Sequence, residues 1–199
     1  MKPPFWKNPY LLGFAVGVVF LTVLPFIQRP FLRAPPPVKT LAPWELSSHR
    51  GGKLGAQELK GRVWVASLYC TQCSPDCIKR QGEFSRLGPH LADVKGGVPM
   101  VSISVDPQID TPEASASHAR RFEPNDSWTF ATGSTALAQT LFAEPLGLVD
   151  GGTASLCSAA VFALVDQDGA LRGFWPSNDL GRGNLVNAAR LLVKYGPAP

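Results

Sequence analysis

The chain has 199 residues, 45% of them hydrophobic and 17% charged, with a net charge of +4. That is enough for one domain with a real core and an additional segment. The charge excludes a nucleic-acid binder by its distribution: five Lys/Arg fall within residues 1–39, no acid occurs before Glu45, and residues 40–199 hold 14 basic against 15 acidic groups, with no basic stripe.

Residues 1–9 form a short tail. "YLLGFAVGVVFLTVLPFI", residues 10–27, carries no charge and has no polar face. It sits at the lower length limit of a bilayer-spanning helix. No A-x-A cleavage site follows it, so an uncleaved membrane anchor is expected. Lys2 and Lys7 precede it and Arg29, Arg33 and Lys39 follow, so flanking charge does not set its orientation. Residues 28–43 are proline-rich and read as a stiff polyproline II linker. The main domain is expected over residues 44–199.

Within that domain, "WELSSHRGGKLGAQELKG" (44–61) reads as a hairpin and "RVWVASLY" (62–69) as a buried strand. A helix follows over 75–91, with Pro75 in its first turn. "VPMVSISV" (98–105) is the next strand, and Thr111-Pro112-Glu113 opens the next helix. A short strand (127–133) and a short helix (134–143) come before a hairpin over 159–175, turning at Asp168-Gly169. A closing amphipathic helix covers 183–196. This order predicts an α/β, thioredoxin-like sandwich with an N-terminal hairpin and one N-terminal transmembrane helix.

The chemistry gathers in "YCTQCSPDCIKR" (69–80), which holds three of the four cysteines. Cys73 and Cys77 lie four apart at a helix start, close enough for a disulfide or for joint binding of a soft metal. Cys70 falls on one strand face with Trp64, Ala66 and Leu68. It reads as a small buried apolar residue or as a partner of Cys73 in disulfide exchange. Structural zinc needs four paired ligands. The fourth cysteine, Cys157, is 80 residues from Cys77, and His49, His90 and His118 stand alone and read as surface residues. A set of two or three thiolates suits Cu(I) better.

Four stretches then carry a resemblance. "VWVASLYCTQCSPDC", "VSISVDPQIDTPEA", "SWTFATGS" and "FALVDQDGALRGFW" resemble segments of the Sco/SenC family, thioredoxin-fold copper chaperones that help assemble the Cu-A centre of cytochrome c oxidase. The resemblance covers most of 44–195. It implies a redox pair and copper ligands at Cys73 and Cys77. The family's prolines after each cysteine are replaced by Ser74 and Ile78. The family's third ligand is a histidine, and the ungapped position here is Ser158, beside Cys157. Either Cys157 replaces the histidine in copper binding, or the metal role is lost and Cys73 and Cys77 do thiol–disulfide work. Implied partners are the membrane, a cytochrome c oxidase subunit or other copper client, and a thiol reductase, with the domain on the non-cytoplasmic side. As an enzyme the chain would be a thiol–disulfide oxidoreductase. A peroxidase fits less well, because Arg80 is the nearest arginine to Cys73 in the chain. Asp106 and Asp110 read as candidates for orienting ligands, or as a strand end and a helix start.

Overall fold

The computed structural model describes residues 9–28, 35–72, 74–148 and 152–196, without the side chains of 9, 25–28, 153 and 154. Contacts divide the chain into two units, 1–33 and 34–199.

The first unit contains helix α1, Pro9–Gln28. Among the described residues no helix is long and apolar enough to cross a membrane. The transmembrane helix expected over 10–27 is therefore not supported by the structure.

The second unit is built on an eight-stranded sheet. Its strands are β1 (Lys39–Thr40), β2 (Glu45–Ser48), β3 (Lys53–Gly55), β4 (Trp64–Tyr69), β5 (Met100–Ser104), β6 (Trp128–Thr132), β7 (Val161–Val165) and β8 (Ala170–Pro176). Their order is β1-β8-β7-β4-β5-β6-β2-β3. β4, β5 and β6 are parallel to one another, and the other pairings are antiparallel. The helices are α2 (Pro75–Ser85), α3 (Leu87–Ala92), α4 (Pro112–Ala119), α5 (Ala136–Ala138), α6 (Glu144–Leu146), α7 (Gly152–Ser158) and α8 (Asp179–Tyr195), with a π-helical turn at Gln139–Ala143 joining α5 to α6.

Every residue of β4 is buried, because helices cover both faces of the sheet. Alternation along a strand sends neighbouring side chains to opposite faces. Val65 and Tyr69 join Phe84, Leu87, Leu91 and Leu185 in one core. Trp64, Ala66, Leu68 and Cys70 join Leu141, Phe142 and Leu156 in the other, as the alternation predicts. The thioredoxin-like sandwich and its N-terminal hairpin, β2–β3, are as expected.

Three segments differ from the expectation. The helix foreseen over 75–91 is two helices that meet at Arg86. Pro89 explains the break: it has no N–H for the carbonyl four residues back, and its ring would clash there. The proline-rich linker ends inside the sheet, where β1 pairs with β8 and the Val38 N–H donates to the Leu171 carbonyl. The closing helix starts at Asp179, capped by Asn178, whose side chain accepts from the Gly181 N–H at 2.8 Å.

Candidate metal and thiol site

The site lies beyond the C-terminal end of β4. The chain leaves that strand through Cys70–Ser74 and enters α2 at Pro75. β7 runs antiparallel to β4, with Val165 opposite Trp64 and Ala163 opposite Ala66. Residues before β7 therefore arrive where β4 ends. Cys157, near the end of α7, is carried to the first turn of α2 in this way.

Cys77 is 1% exposed. Its thiol donates to the Cys157 carbonyl at 3.3 Å. Cys77 is a free thiol. Cys70 is disulfide-bonded, and its partner is not Cys77. Cys70 is thus buried, as foreseen, but it is not an inert apolar residue. Cys73 lies outside the described residues.

Cys157 lies in a short helix and not on a strand. Strand alternation, which would send Cys157 and Ser158 to opposite faces, therefore does not apply to them. Ser158 is exposed and donates to the Ser155 carbonyl, while Cys157 lines a cleft of about 700 Å³ that Cys70 also lines. Burial pushes the Cys157 thiol up to about 12; the neighbouring Cys77 thiol adds to this, and Arg80 opposes it.

Arg80, weighed from the sequence only for its distance from Cys73, stands beside Cys77 in the fold. It is 4% exposed. One terminal nitrogen donates to the carbonyls of Cys157 at 2.6 Å and Ala159 at 2.8 Å. The other donates to the Leu68 carbonyl at 3.0 Å and lies 3.8 Å from the Cys77 sulfur. One side chain thereby ties together β4, α2 and the segment after α7. Burial lowers its pKa, and Cys77 and Cys157 oppose that shift. The available signal was its spacing: three residues after Cys77 in a helix, hence on the same face.

Asp110 is fully buried. One carboxylate oxygen accepts from the Thr71 N–H at 2.8 Å and the Thr71 hydroxyl at 2.6 Å. The other accepts from the Ser104 hydroxyl at 2.6 Å. The carboxylate therefore anchors the residue that follows Cys70. The helix-start reading holds as well, through Thr111, which caps α4 by accepting from the Ala114 N–H. Asp106 contributes backbone only among the recorded bonds: its carbonyl accepts from the Asp110 N–H.

The histidines divide. His90 is exposed and His49 half-buried. His118, expected on the surface, is 4% exposed and packs against Tyr69, Phe122 and Phe130. Burial lowers its pKa. Among the described residues no group of three His, Cys, Asp or Glu is placed to hold a metal.

The family model SCO1/SenC matches residues 33–193. The chain belongs to the SCO1/SenC family. A curated relative, the SCO1 protein homolog of Bacillus subtilis (strain 168), is 29% identical over 92 residues, which is 46% of this chain and 48% of the relative. The matched stretch thus spans about half the length of that relative. Among solved structures, BsSco, described as a member of the Sco family of cytochrome c oxidase assembly proteins with a disulfide switch, superposes with a TM-score of 0.67 at 20% identity, covering 82% of this chain and 98% of that one. Bradyrhizobium japonicum ScoI with copper bound gives 0.56 at 20% identity, covering 76% and 98%. These likenesses establish the fold.

Proposed function

We propose that this chain handles Cu(I) for the assembly of the Cu-A centre of a cytochrome c oxidase subunit. Cys73, Cys77 and Cys157 are the proposed ligands. The observation that carries this reading is the contact of the Cys77 thiol with Cys157, which lines the cleft, although 80 residues separate them. Soft thiolates suit Cu(I) and disfavour hard cations. Copper-bound ScoI shares the fold, and BsSco is described as an oxidase assembly protein.

Charge supports Cys157 as the replacement for the histidine implied by the family pattern. Cu(I) with two thiolates and a neutral imidazole carries one net negative charge. With three thiolates it carries two. A buried guanidinium beside Cys77 offsets the extra charge, and Arg80 stands there. Asp110 holds the Cys70–Cys73 loop through Thr71 and so orients a ligand without touching the metal. Residues 10–27 are proposed as a membrane anchor on the strength of their uncharged sequence alone, with the domain on the non-cytoplasmic side, where a disulfide persists.

A second reading is a thiol–disulfide reductase without copper. The disulfide at Cys70 favours it, and pairing of Cys70 with Cys73 in the C-x2-C segment is proposed for that case. A Cu(I) titration of the fully reduced chain against a chromophoric competitor separates the two. One equivalent bound tightly, and weakened at least tenfold by Cys157→Ser, supports the three-thiolate site. Absence of competitive binding selects the reductase.

A further inference from the structure

We propose that the cleft beside Cys70 binds a small peptide thiol with two carboxylates and one ammonium, of the chemical class of glutathione, which reduces the Cys70 disulfide. The inference deepens the copper reading by naming what readies that site for metal. The cleft holds about 700 Å³, within the range of about 300–1,000 Å³ usual for small-molecule sites. Cys70, disulfide-bonded, lines it, so a ligand seated there meets a reducible bond. One wall is a face of α2, where Asp76, Lys79, Arg80 and Glu83 recur at helical spacing. Ser158, Ala160 and Ser177 line the cleft from α7, from its link to β7 and from the link between β8 and α8. Charge selects the ligand. Glu83 is neutralised by Arg86 and Arg182. Asp76 and Lys79 are exposed, and among the described residues neither has an ion pair. Arg80 is bonded to carbonyls and to no carboxylate, and its Nε is buried without a hydrogen-bond partner among the described residues. The described residues thus offer two unmatched cations and one unmatched anion. Two carboxylates and one ammonium complement that set, whereas an uncharged thiol leaves all three unmet.

The reductant is two molecules of the peptide thiol, for which glutathione is the probe. The first, having lost its proton to solvent, attacks one sulfur of the Cys70 disulfide. That S–S bond breaks, a mixed disulfide of glutathione and protein forms, and the other protein sulfur leaves as a thiolate and takes up a proton. A second glutathione thiolate attacks the glutathione sulfur of the mixed disulfide. Glutathione disulfide forms, and the remaining protein sulfur leaves as a thiolate and is protonated in turn. One protein S–S bond is exchanged for the S–S bond of glutathione disulfide, and two electrons and two protons pass from two glutathiones to the protein.

The test uses the full chain without metal. Reduction of Cys70 is followed at one pH against thiol concentration, with an N-ethylmaleimide quench and peptide mass spectrometry of Cys70. Glutathione is compared with 2-mercaptoethanol, an uncharged thiol. The expected rate saturates with glutathione and rises linearly with 2-mercaptoethanol. Lys79→Gln removes one cation from an exposed helix face and should raise the half-saturating glutathione concentration about two- to fivefold, with the 2-mercaptoethanol rate unchanged. Ala160→Trp, at an exposed position that lines the cleft, should slow glutathione more than 2-mercaptoethanol. The proposal is overturned by a glutathione rate that stays linear and equals that of 2-mercaptoethanol per thiolate, or by saturation that both variants leave unchanged. A Cys70 disulfide that yields only to a dithiol protein also overturns it. The Cu(I) titration starts from a chain already reduced, so its failure leaves this result standing. Linear kinetics with glutathione likewise leave the copper reading standing.

Discussion

Replacing Asp110 by alanine tests whether one carboxylate holds the cysteine loop. Its three hydrogen bonds come from two residues, Thr71 and Ser104, at 2.6–2.8 Å. Hydrogen bonds to charged groups contribute about 1.5–3 kcal/mol each. Thr71 is half-buried, so water recovers part of its two. Ser104 is 1% exposed, and leaving its hydroxyl without an acceptor costs about 1–3 kcal/mol. Removing a buried carboxylate returns some desolvation energy. The expected net loss is about 3 kcal/mol, a large part of a typical ~5–15 kcal/mol, or a Tm lower by about 6–12 °C. Asp110→Asn keeps one acceptor for Thr71, while the Ser104 hydroxyl can turn to accept from the amide, so its cost is about 1 kcal/mol. Calorimetry of the full chain gives the Tm, and hydrogen exchange reports the Thr71 amide, whose protection should fall by about tenfold or more in Asp110→Ala. An alanine variant within about 1 kcal/mol of wild type, with the Thr71 amide still protected, would refute the anchoring role.

Other outcomes follow from the same contacts. Arg80→Met should weaken Cu(I) binding by at least tenfold while Arg80→Lys, which keeps the charge, retains most of it; equal losses would show that geometry and not charge is at stake. For Cys157, a thiol whose pKa is raised by folding from 9.0 to about 12, the folded state keeps its proton where the unfolded chain has lost it. Stability is therefore full below pH 9 and declines as pH climbs towards 12, and Cys157→Ser should flatten that decline in urea titrations. For His118, whose pKa is lowered, the unfolded chain binds the proton first, so stability drops as pH falls below 6.5, and His118→Phe should remove that part of the acid sensitivity. Gly181→Ala should be strongly destabilising in thermal melts, since a Cβ there would lie 2.0 Å from the Pro176 carbonyl oxygen. Gly183→Ala, in open space in the same helix, should gain up to about 1 kcal/mol.

The sheet was legible because its signals are local. β-branched runs marked β4 and β5, Asp168-Gly169 marked the turn between β7 and β8, and Thr111-Pro112 marked a helix whose cap forms as drawn. α8 was placed four residues late because Gly181, before the expected start at Gly183, argues against a helix. Gly181 is there because the helix start presses against the Pro176 backbone, a tertiary reason that no local propensity carries. α7 was missed for a related cause: "GGTASLCS" has no apolar periodicity, and among its described residues Leu156 is buried in the core with Cys157 packed against it. The partnership of Cys77 with Cys157 depends on β7 lying antiparallel beside β4, which is a property of strand order and not of spacing.

Arg80 shows where the physical argument changes the chemistry. By local pattern it is an ordinary helix residue with a solvated charge. In the fold it is 4% exposed, and its recorded partners are three carbonyls and a sulfur, with no carboxylate among them. A buried cation held by carbonyl dipoles alone costs free energy. That cost is offset whenever an anion forms beside it, and the adjacent groups able to become anionic are the thiols of Cys77 and Cys157. Cu(I) bound as proposed would keep those sulfurs as thiolates. The guanidinium therefore favours thiolate over thiol at Cys77, so replacing Arg80 by methionine should slow alkylation of Cys77 by iodoacetamide at a fixed pH, and an unchanged rate would show that the carbonyl contacts alone account for its burial.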